Sequence, residues 1–299
     1  MPARTSFLDP LEPTNGEHGK LYVVGTPIGN LEDITLRAIR ILKEVDLIAC
    51  EDTRRTAKLL TAYKIQTPMV SYHEHNEMTR APELVIQMEE GSSIALVTDA
   101  GMPVVSDPGF RLVHLAVRHS IPVVPVPGAS AFVAALAASG LPVDKFRFLG
   151  FLPSKKGERR KALEELKDAT KTLIFYEAPH RLLEMLKDAR ELLGEREIVV
   201  AREVTKVHEQ FMRGTIGSTL EYLKKRPVKG ELTVLIGLPA VSDESEGAPP
   251  AASILSELNL VMAERKVDER AALKIVARAR GVPKSEAYRQ LQTEKNRTS

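Results

Sequence analysis

The sequence predicts a two-domain α/β fold with a mainly parallel N-terminal sheet, a mixed second sheet and a small helical C-terminal module. Three observations lead there. From Lys20 onward, short continuous apolar runs recur at similar intervals with helix-period segments between them. Past residue 142 the runs lie closer together and partly alternate, as antiparallel strands do. Beyond a Pro-rich break, residues 253–299 read as helices.

Composition sets the outer bounds. The 299 residues include 42 Lys+Arg and 40 Asp+Glu, with 43% hydrophobic and 27% charged residues, which excludes global disorder. A chain of this length carries a prior of about two domains. The longest apolar run, Ala131–Ala138, is far short of the ~20 residues of a membrane span. The N-terminus has no charged segment followed by an apolar one, so secretion is not expected and a cytoplasmic location is. A single cysteine, Cys50, leaves no intramolecular disulfide and no multi-cysteine zinc site. The near-balanced charge argues against a generic polycation and leaves room for a local basic face.

Residues 1–19 read as a flexible tail, rich in Pro and Gly with little apolar periodicity. Leu21–Val24 is the first strand and ends at Gly25. Ile34, Leu36, Ile39, Ile41 and Leu42 then follow a helical period with Thr35 at its start. Leu47–Cys50, Met69–Tyr72, Ile94–Val97 and Val123–Val126 are the next strands, and Thr53 is placed to cap the helix after the second. Their continuous apolar character fits strands covered on both faces and joined by right-handed crossovers. These elements make a first domain over 20–141, closing at the Gly140-Leu141-Pro142 seam. The second domain, 142–238, holds strands at 146–149, 172–175, 198–201, 210–214 and 232–236, with helices near 157–168 and 181–193. Residues 239–252 contain three prolines and three acids without Lys or Arg and read as a linker. In 253–299 a stripe through Ala272, Ile275, Val276 and Ala279, a break at Gly281-Val282 and a restart at Pro283 make a helix-turn-helix-like pattern. Residues 251–299 carry ten basic and six acidic residues, so this module is locally basic.

The candidate site residues lie mostly at strand ends, where open α/β sheets bind ligands. Gly25-Thr26-Pro27-Ile28-Gly29-Asn30 follows the first strand but lacks the spacing of a dinucleotide or triphosphate loop, which excludes nucleotide hydrolases and dehydrogenases. Thr98-Asp99-Ala100-Gly101-Met102 ends the fourth strand. Asp99 is either a ligand acceptor or a turn residue. Ser130 and Ala131 open a helix after the fifth strand, where Ser130 meets a flat ligand or caps the helix. Glu51 and Asp52 read as a general base, or as acids favoured at a helix N-terminus. His73 and His75, spaced i, i+2, would share one face of a strand, but no third ligand accompanies them and no metal is expected. Lys155-Lys156-Gly157-Glu158-Arg159-Arg160-Lys161 is either a solvated helix start or a phosphate-binding segment. Tyr176-Glu177-Ala178-Pro179-His180-Arg181 gathers an aromatic, an acid, a His and an Arg at a strand end, or marks a strand-to-helix junction with Pro179 in the first turn.

Taken in order, the glycine loop, Cys50–Arg54, Asp99-Ala100-Gly101 with Ser106-Asp107-Pro108-Gly109, Pro127–Ala131, Gly150–Pro153, Phe175–Arg181 and Lys229-Gly230-Glu231 resemble the bacterial small-subunit ribosomal RNA 2′-O-methyltransferases of the tetrapyrrole methylase superfamily. The resemblance covers about Lys20 to Gly237. It implies a tetrapyrrole-methylase-like fold that binds S-adenosylmethionine in a cleft between two α/β domains. It also implies a homodimer and 2′-O-methylation of a cytidine ribose in 16S rRNA, near the decoding centre. Residue by residue, it places the cofactor against Pro27, Ile28, Asp99, Ala100, Gly101, Met102, Ser130 and Ala131, with Tyr176 and Gly230 from the second domain. Met102 departs from the smaller polar residue expected there, so its contact is expected through the backbone. Glu51, Asp52 and Glu177 are the candidate bases, with His73 and His180 also open. Lys155, Lys156, Arg159 and Arg160 are the expected RNA contacts. A small-molecule tetrapyrrole methylase and a non-enzymatic nucleic-acid-binding regulator are the rival readings.

Overall fold

The computed structural model describes residues 19–239, 253–280 and 282–298. The predicted tail and linker lie, apart from Gly19 and Pro239, outside these residues. The chain divides into two compact units, one ending at Ala240 and holding both sheets, the other holding the C-terminal helices.

In the first sheet, β1 (Leu21–Val24), β2 (Leu47–Cys50), β3 (Met69–Ser71), β4 (Ile94–Val97) and β5 (Val123–Val126) pair in the order β3-β2-β4-β1-β5, all parallel. The crossover helices are α1 (Leu36–Glu44), α2 (Thr53–Ala62), α3 (Glu77–Glu89) and α4 (Phe110–Arg118). The continuous apolar strands have two cores to fill. Val24, Ile48, Cys50 and Val97 pack with Ala38, Leu42 and Leu60 on one face. Leu21, Ala49, Ile94 and Leu96 pack with Leu84, Met88 and Leu112 on the other. Thr35 caps α1 through a bond from the Ala38 amide, but Asp52, not Thr53, caps α2. His73 and His75 fall after β3, in a turn, so the strand face expected to carry both does not form.

The second sheet is mixed. β6 (Phe146–Phe151) runs parallel to β7 (Thr172–Glu177); β10 (Leu232–Pro239) inserts antiparallel between β7 and β8 (Arg196–Arg202); and β9 (Gln210–Thr215) closes the edge. One face is covered by α6 (Lys156–Glu164), α7 (Pro179–Leu193) and α8 (Ile216–Lys225), through Leu163, Leu182, Met185 and Leu220. The other face receives α5 (Ala131–Ser139). This helix follows β5 in the chain, yet Ala135 and Leu136 pack on Ile174, Val199 and Leu235 of the second sheet. Val133 on the far side of this helix stays exposed, and α5 joins the two sheets into one unit through its Ala135–Leu136 face.

The basic stretch at the start of α6 is internally compensated. Arg159 is only 2% exposed, and its Nε donates to Asp188 Oδ2 of α7 at 2.8 Å. Arg160 donates to Asp188 Oδ1 at 3.1 Å and to both Glu191 oxygens at 2.7 Å. Arg159 therefore faces the interior, not an RNA phosphate, and the Asp188 carboxylate offsets the cost of burying its charge. Lys155 and Lys156 remain exposed.

In the second unit, α9 (Ile254–Arg265), α10 (Glu269–Ala279) and α11 (Lys284–Thr298) enclose Ile254, Leu258, Leu273, Val276 and Leu291. Ser253 and Asp268 cap α9 and α10, and Glu294 of α11 accepts from the Ser253 hydroxyl at 2.5 Å. No helix among the described residues is long and apolar enough to cross a membrane.

Candidate active site

The C-terminal ends of β1, β4 and β5 open into a cleft of about 950 Å³, facing the ends of β7 and β10. Its floor is backbone. A two-way bridge joins the Thr26 and Gly101 amides to each other's carbonyls at 2.9 and 3.1 Å, and Gly25 N–H donates to Val126 C=O at 3.0 Å. Gly25 and Gly128 touch so closely that a Cβ on either would lie 2.7 Å from the other's Cα. Gly101 sits at φ +91°, a conformation that favours glycine.

On the first-sheet side the cleft carries three carboxylates, those of Glu51, Asp99 and Asp107. Glu51 accepts from the Thr98 hydroxyl at 2.8 Å. Asp99 accepts from the Asp52 amide at 3.2 Å and pairs with Arg55 at 3.2 Å. Asp107 has its carboxyl pushed up to about 6. Burial is the main cause and the charges of Glu51 and Asp99 add to it, against a hydrogen bond from Thr98. The loop before it folds back sharply, with Val104 at φ +75° and Ser106 at φ +65°. Such angles are uncommon outside glycine and cluster at functional sites.

The opposite wall is aromatic and acidic. Phe132 of α5 stacks on Phe148 at 4.4 Å, and Tyr176 meets Phe148 edge-on at 5.0 Å. Burial raises the Tyr176 phenol. Glu177 is 2% exposed; its Oε1 accepts from the Ala178 amide at 2.8 Å and lies 3.3 Å from Arg181 Nε. Its Oε2 has no hydrogen-bond partner among the described residues, and burial raises its carboxyl.

Of the residues expected to hold a cofactor, Ile28, Asp99, Ala100, Gly101, Met102, Ser130, Ala131, Tyr176 and Gly230 all line this one cleft, and Pro27 does not. Ser130 precedes α5 without a side-chain capping bond, which leaves its hydroxyl for a ligand. Of the candidate bases, Glu51 and Glu177 line the cleft. Asp52 does not: it caps α2, is clamped by Arg54 at 2.8–3.0 Å and is held down at about 2, chiefly by that pairing. Lys155, Lys156, Arg159 and Arg160 lie outside the cleft lining. Sequence reasoning missed Asp107, although Ser106-Asp107-Pro108-Gly109 stands out as a motif. The signal was an acid two residues before a glycine in a strand-end loop, which reads equally as a turn.

A sequence model for Tetrapyrrole (Corrin/Porphyrin) Methylases matches residues 20–219. The chain belongs to the tetrapyrrole methylase family. Within that family, "Ribosomal RNA small subunit methyltransferase I" of Halalkalibacterium halodurans is 47% identical over 277 residues, covering 91% of this chain and 94% of that protein. The protein of the same name from Bacillus subtilis is 50% identical over 218 residues, covering 73% and 75%. In fold, the chain resembles uroporphyrin-III-C-methyltransferase from Thermus thermophilus, with a TM-score of 0.54 at 23% identity, covering 73% of this chain and 94% of that one. The tetrapyrrole methylase fold accounts for the sheet orders and for the cleft at the strand ends.

Proposed function

We propose that the chain is an S-adenosylmethionine-dependent methyltransferase of small-subunit ribosomal RNA that methylates the 2′-oxygen of one cytidine ribose in 16S rRNA near the decoding centre. It would act in the cytoplasm as a homodimer. One observation carries the reading: a single cleft gathers bare glycine backbone, an aromatic wall and three carboxylates at the ends of parallel strands. That set suits the donor. Flat apolar walls take a heterocycle, backbone groups at Gly101 and Gly128 allow close approach, and carboxylates suit hydroxyls and cationic groups. When bound, S-adenosylmethionine supplies a methyl group activated by a positively charged sulfur.

The chain's own residues then have three tasks. Asp99, Gly101, Ser130 and Tyr176 hold the cofactor. The wall of Phe132, Phe151 and Tyr176 excludes water. A carboxylate accepts the ribose hydroxyl proton, since a hydroxyl is a poor nucleophile until that proton leaves. Asp107 is the best placed, because it lines the cleft and titrates near 6, close to working pH. Glu177 is the alternative. Lys155, Lys156 and the basic C-terminal helices contribute RNA contacts.

The test is methyl transfer from labelled S-adenosylmethionine to undermethylated small ribosomal subunits, naked rRNA and a tetrapyrrole precursor. The expected product carries label at one ribose, with the next linkage resistant to alkali. Label in the tetrapyrrole alone overturns the RNA reading. Asp99→Ala is expected to weaken cofactor binding about tenfold or more, since it removes a charged hydrogen-bond acceptor. Calorimetry showing unchanged affinity removes Asp99 from the cofactor site.

A further inference from the structure

A second, smaller cavity of about 310 Å³ lies beside the cleft, lined by Arg202, Gln210, Tyr222, Arg226, Pro227, Val228 and Lys229. Three of these are cations, and none is an acid. Arg202 is oriented by backbone alone, donating to Lys229 C=O at 2.6 Å and to His208 C=O at 3.4 Å. The Arg226 guanidinium lies over the Tyr222 ring at 5.4 Å. The carboxylates in the neighbouring loops, Glu203 and Glu231, are each 3.0 Å from Lys206. The lining itself thus carries three positive charges and no negative one, while Lys206 offsets one of the two carboxylate charges beside it.

Its position relates it to the reaction. Leu232 is registered with Glu177 on one side and with Arg202 on the other, and Arg202 is registered with Gln210. Glu177, Leu232, Arg202 and Gln210 therefore form one cross-strand row at the end of the second sheet, on one face. Glu177 lines the cleft and Arg202 lines the cavity, two strand spacings or about 10 Å apart. Lys229 lines the cavity, and the next residues, Gly230 and Glu231, line the cleft.

We propose that this cavity is a phosphate-docking subsite for the RNA substrate. It holds a backbone phosphodiester flanking the nucleotide whose ribose enters the cleft. The inference rests on the rRNA reading above. A phosphate takes charge-assisted hydrogen bonds from Arg226 and Lys229, and Arg202 adds positive charge behind them. Holding one flanking phosphate fixes the register of the strand without reading its sequence.

The test is the double variant Arg226→Ala with Lys229→Ala, assayed with undermethylated small subunits across a salt series. KM for the subunits is expected to rise about tenfold, as for loss of a charge-assisted contact. The slope of log affinity against log salt becomes shallower by about 0.7, the value for one single-strand phosphate. Kd for S-adenosylmethionine stays within about twofold, as it must if only a phosphate contact was removed. The charge-keeping swap, Arg226→Lys with Lys229→Arg, retains most of the affinity. Unchanged KM and slope in the alanine variant overturn the subsite, and so does a parallel loss of cofactor affinity. If the wild-type protein transfers no methyl group to rRNA, the substrate reading itself fails and takes the subsite with it.

Discussion

Asp107→Asn is expected to lower kcat for methyl transfer by about 10²–10⁴-fold, the usual range for removing a general base. The wild-type carboxyl, titrating near 6, accepts a proton only when ionised. Activity should therefore rise with pH through about 6 and then level off, and the asparagine variant should lack that limb. Stability should move the other way. Burial raises this carboxyl above its ordinary 3.8, so between about 4 and 6 the folded chain binds more protons than the unfolded chain. The contribution of this group to stability is then greatest below that window and falls as pH rises through it. Asparagine cannot ionise, so the variant should be no less stable at neutral pH, which separates lost chemistry from lost fold. An asparagine variant that keeps its kcat, or keeps the limb near 6, transfers the role of base to Glu177.

Gly128→Ala should damage the cleft from beneath. The new Cβ would lie 2.7 Å from Gly25 Cα and 2.8 Å from Gly25 C and O, all backbone atoms that no rotamer change can move. Gly25→Ala meets the same obstacle in reverse, at Gly128 Cα and N and at Met102 Sδ. Neither glycine has the left-handed backbone that would explain it by conformation, so the constraint is space. Strand ends β1 and β5 must separate, at a cost of about 1–3 kcal/mol for overpacking. Affinity for S-adenosylmethionine should fall about tenfold or more as the floor shifts. Gly157→Ala is the control: a Cβ there meets nothing within 4 Å, and helical alanine is favoured. Calorimetry and thermal melting check both. A Gly128→Ala protein with wild-type cofactor affinity would remove the backbone contact from the site's design.

The first sheet was legible because its strands are covered on both faces, which makes each run continuously apolar and bounds it with turn residues. A helix opening at Ser130–Ala131 was legible, but not its destination. It follows β5, yet its partners Ile174, Val199 and Leu235 lie 35 or more residues further along the chain. The seam at residues 140–142 is therefore a turn within one compact unit. The basic run from Lys155 to Lys161 advertised its charge, while the carboxylates that neutralise half of it, on Asp188 and Glu191, sit on the next helix. Leu232–Ile236 reads as a strand covered on both faces, but nothing in that run names β7 and β8 as its neighbours. Nine of the ten residues expected to hold a cofactor line one cleft, because they lie at strand ends. Asp107 was not legible, because an acid in a Ser-Asp-Pro-Gly turn looks solvated until the left-handed backbone at Val104 and Ser106 folds it inward.

The strand orders also set a timetable for synthesis. β1 leaves the ribosome well before its neighbours β4 and β5, which begin at Ile94 and Val123. The second sheet has the same property at its other end, because β7 and β8 wait for β10, which begins at Leu232, to fill the gap between them. The first sheet joins up when β4 enters between β2 and β1, with β5 added at its edge, and the second when β10 enters its interior. Such non-local closure is slow and leaves apolar edges open in the meantime. The cleft draws on both sheets, so a nascent chain has no complete cleft until nearly the whole first unit has emerged.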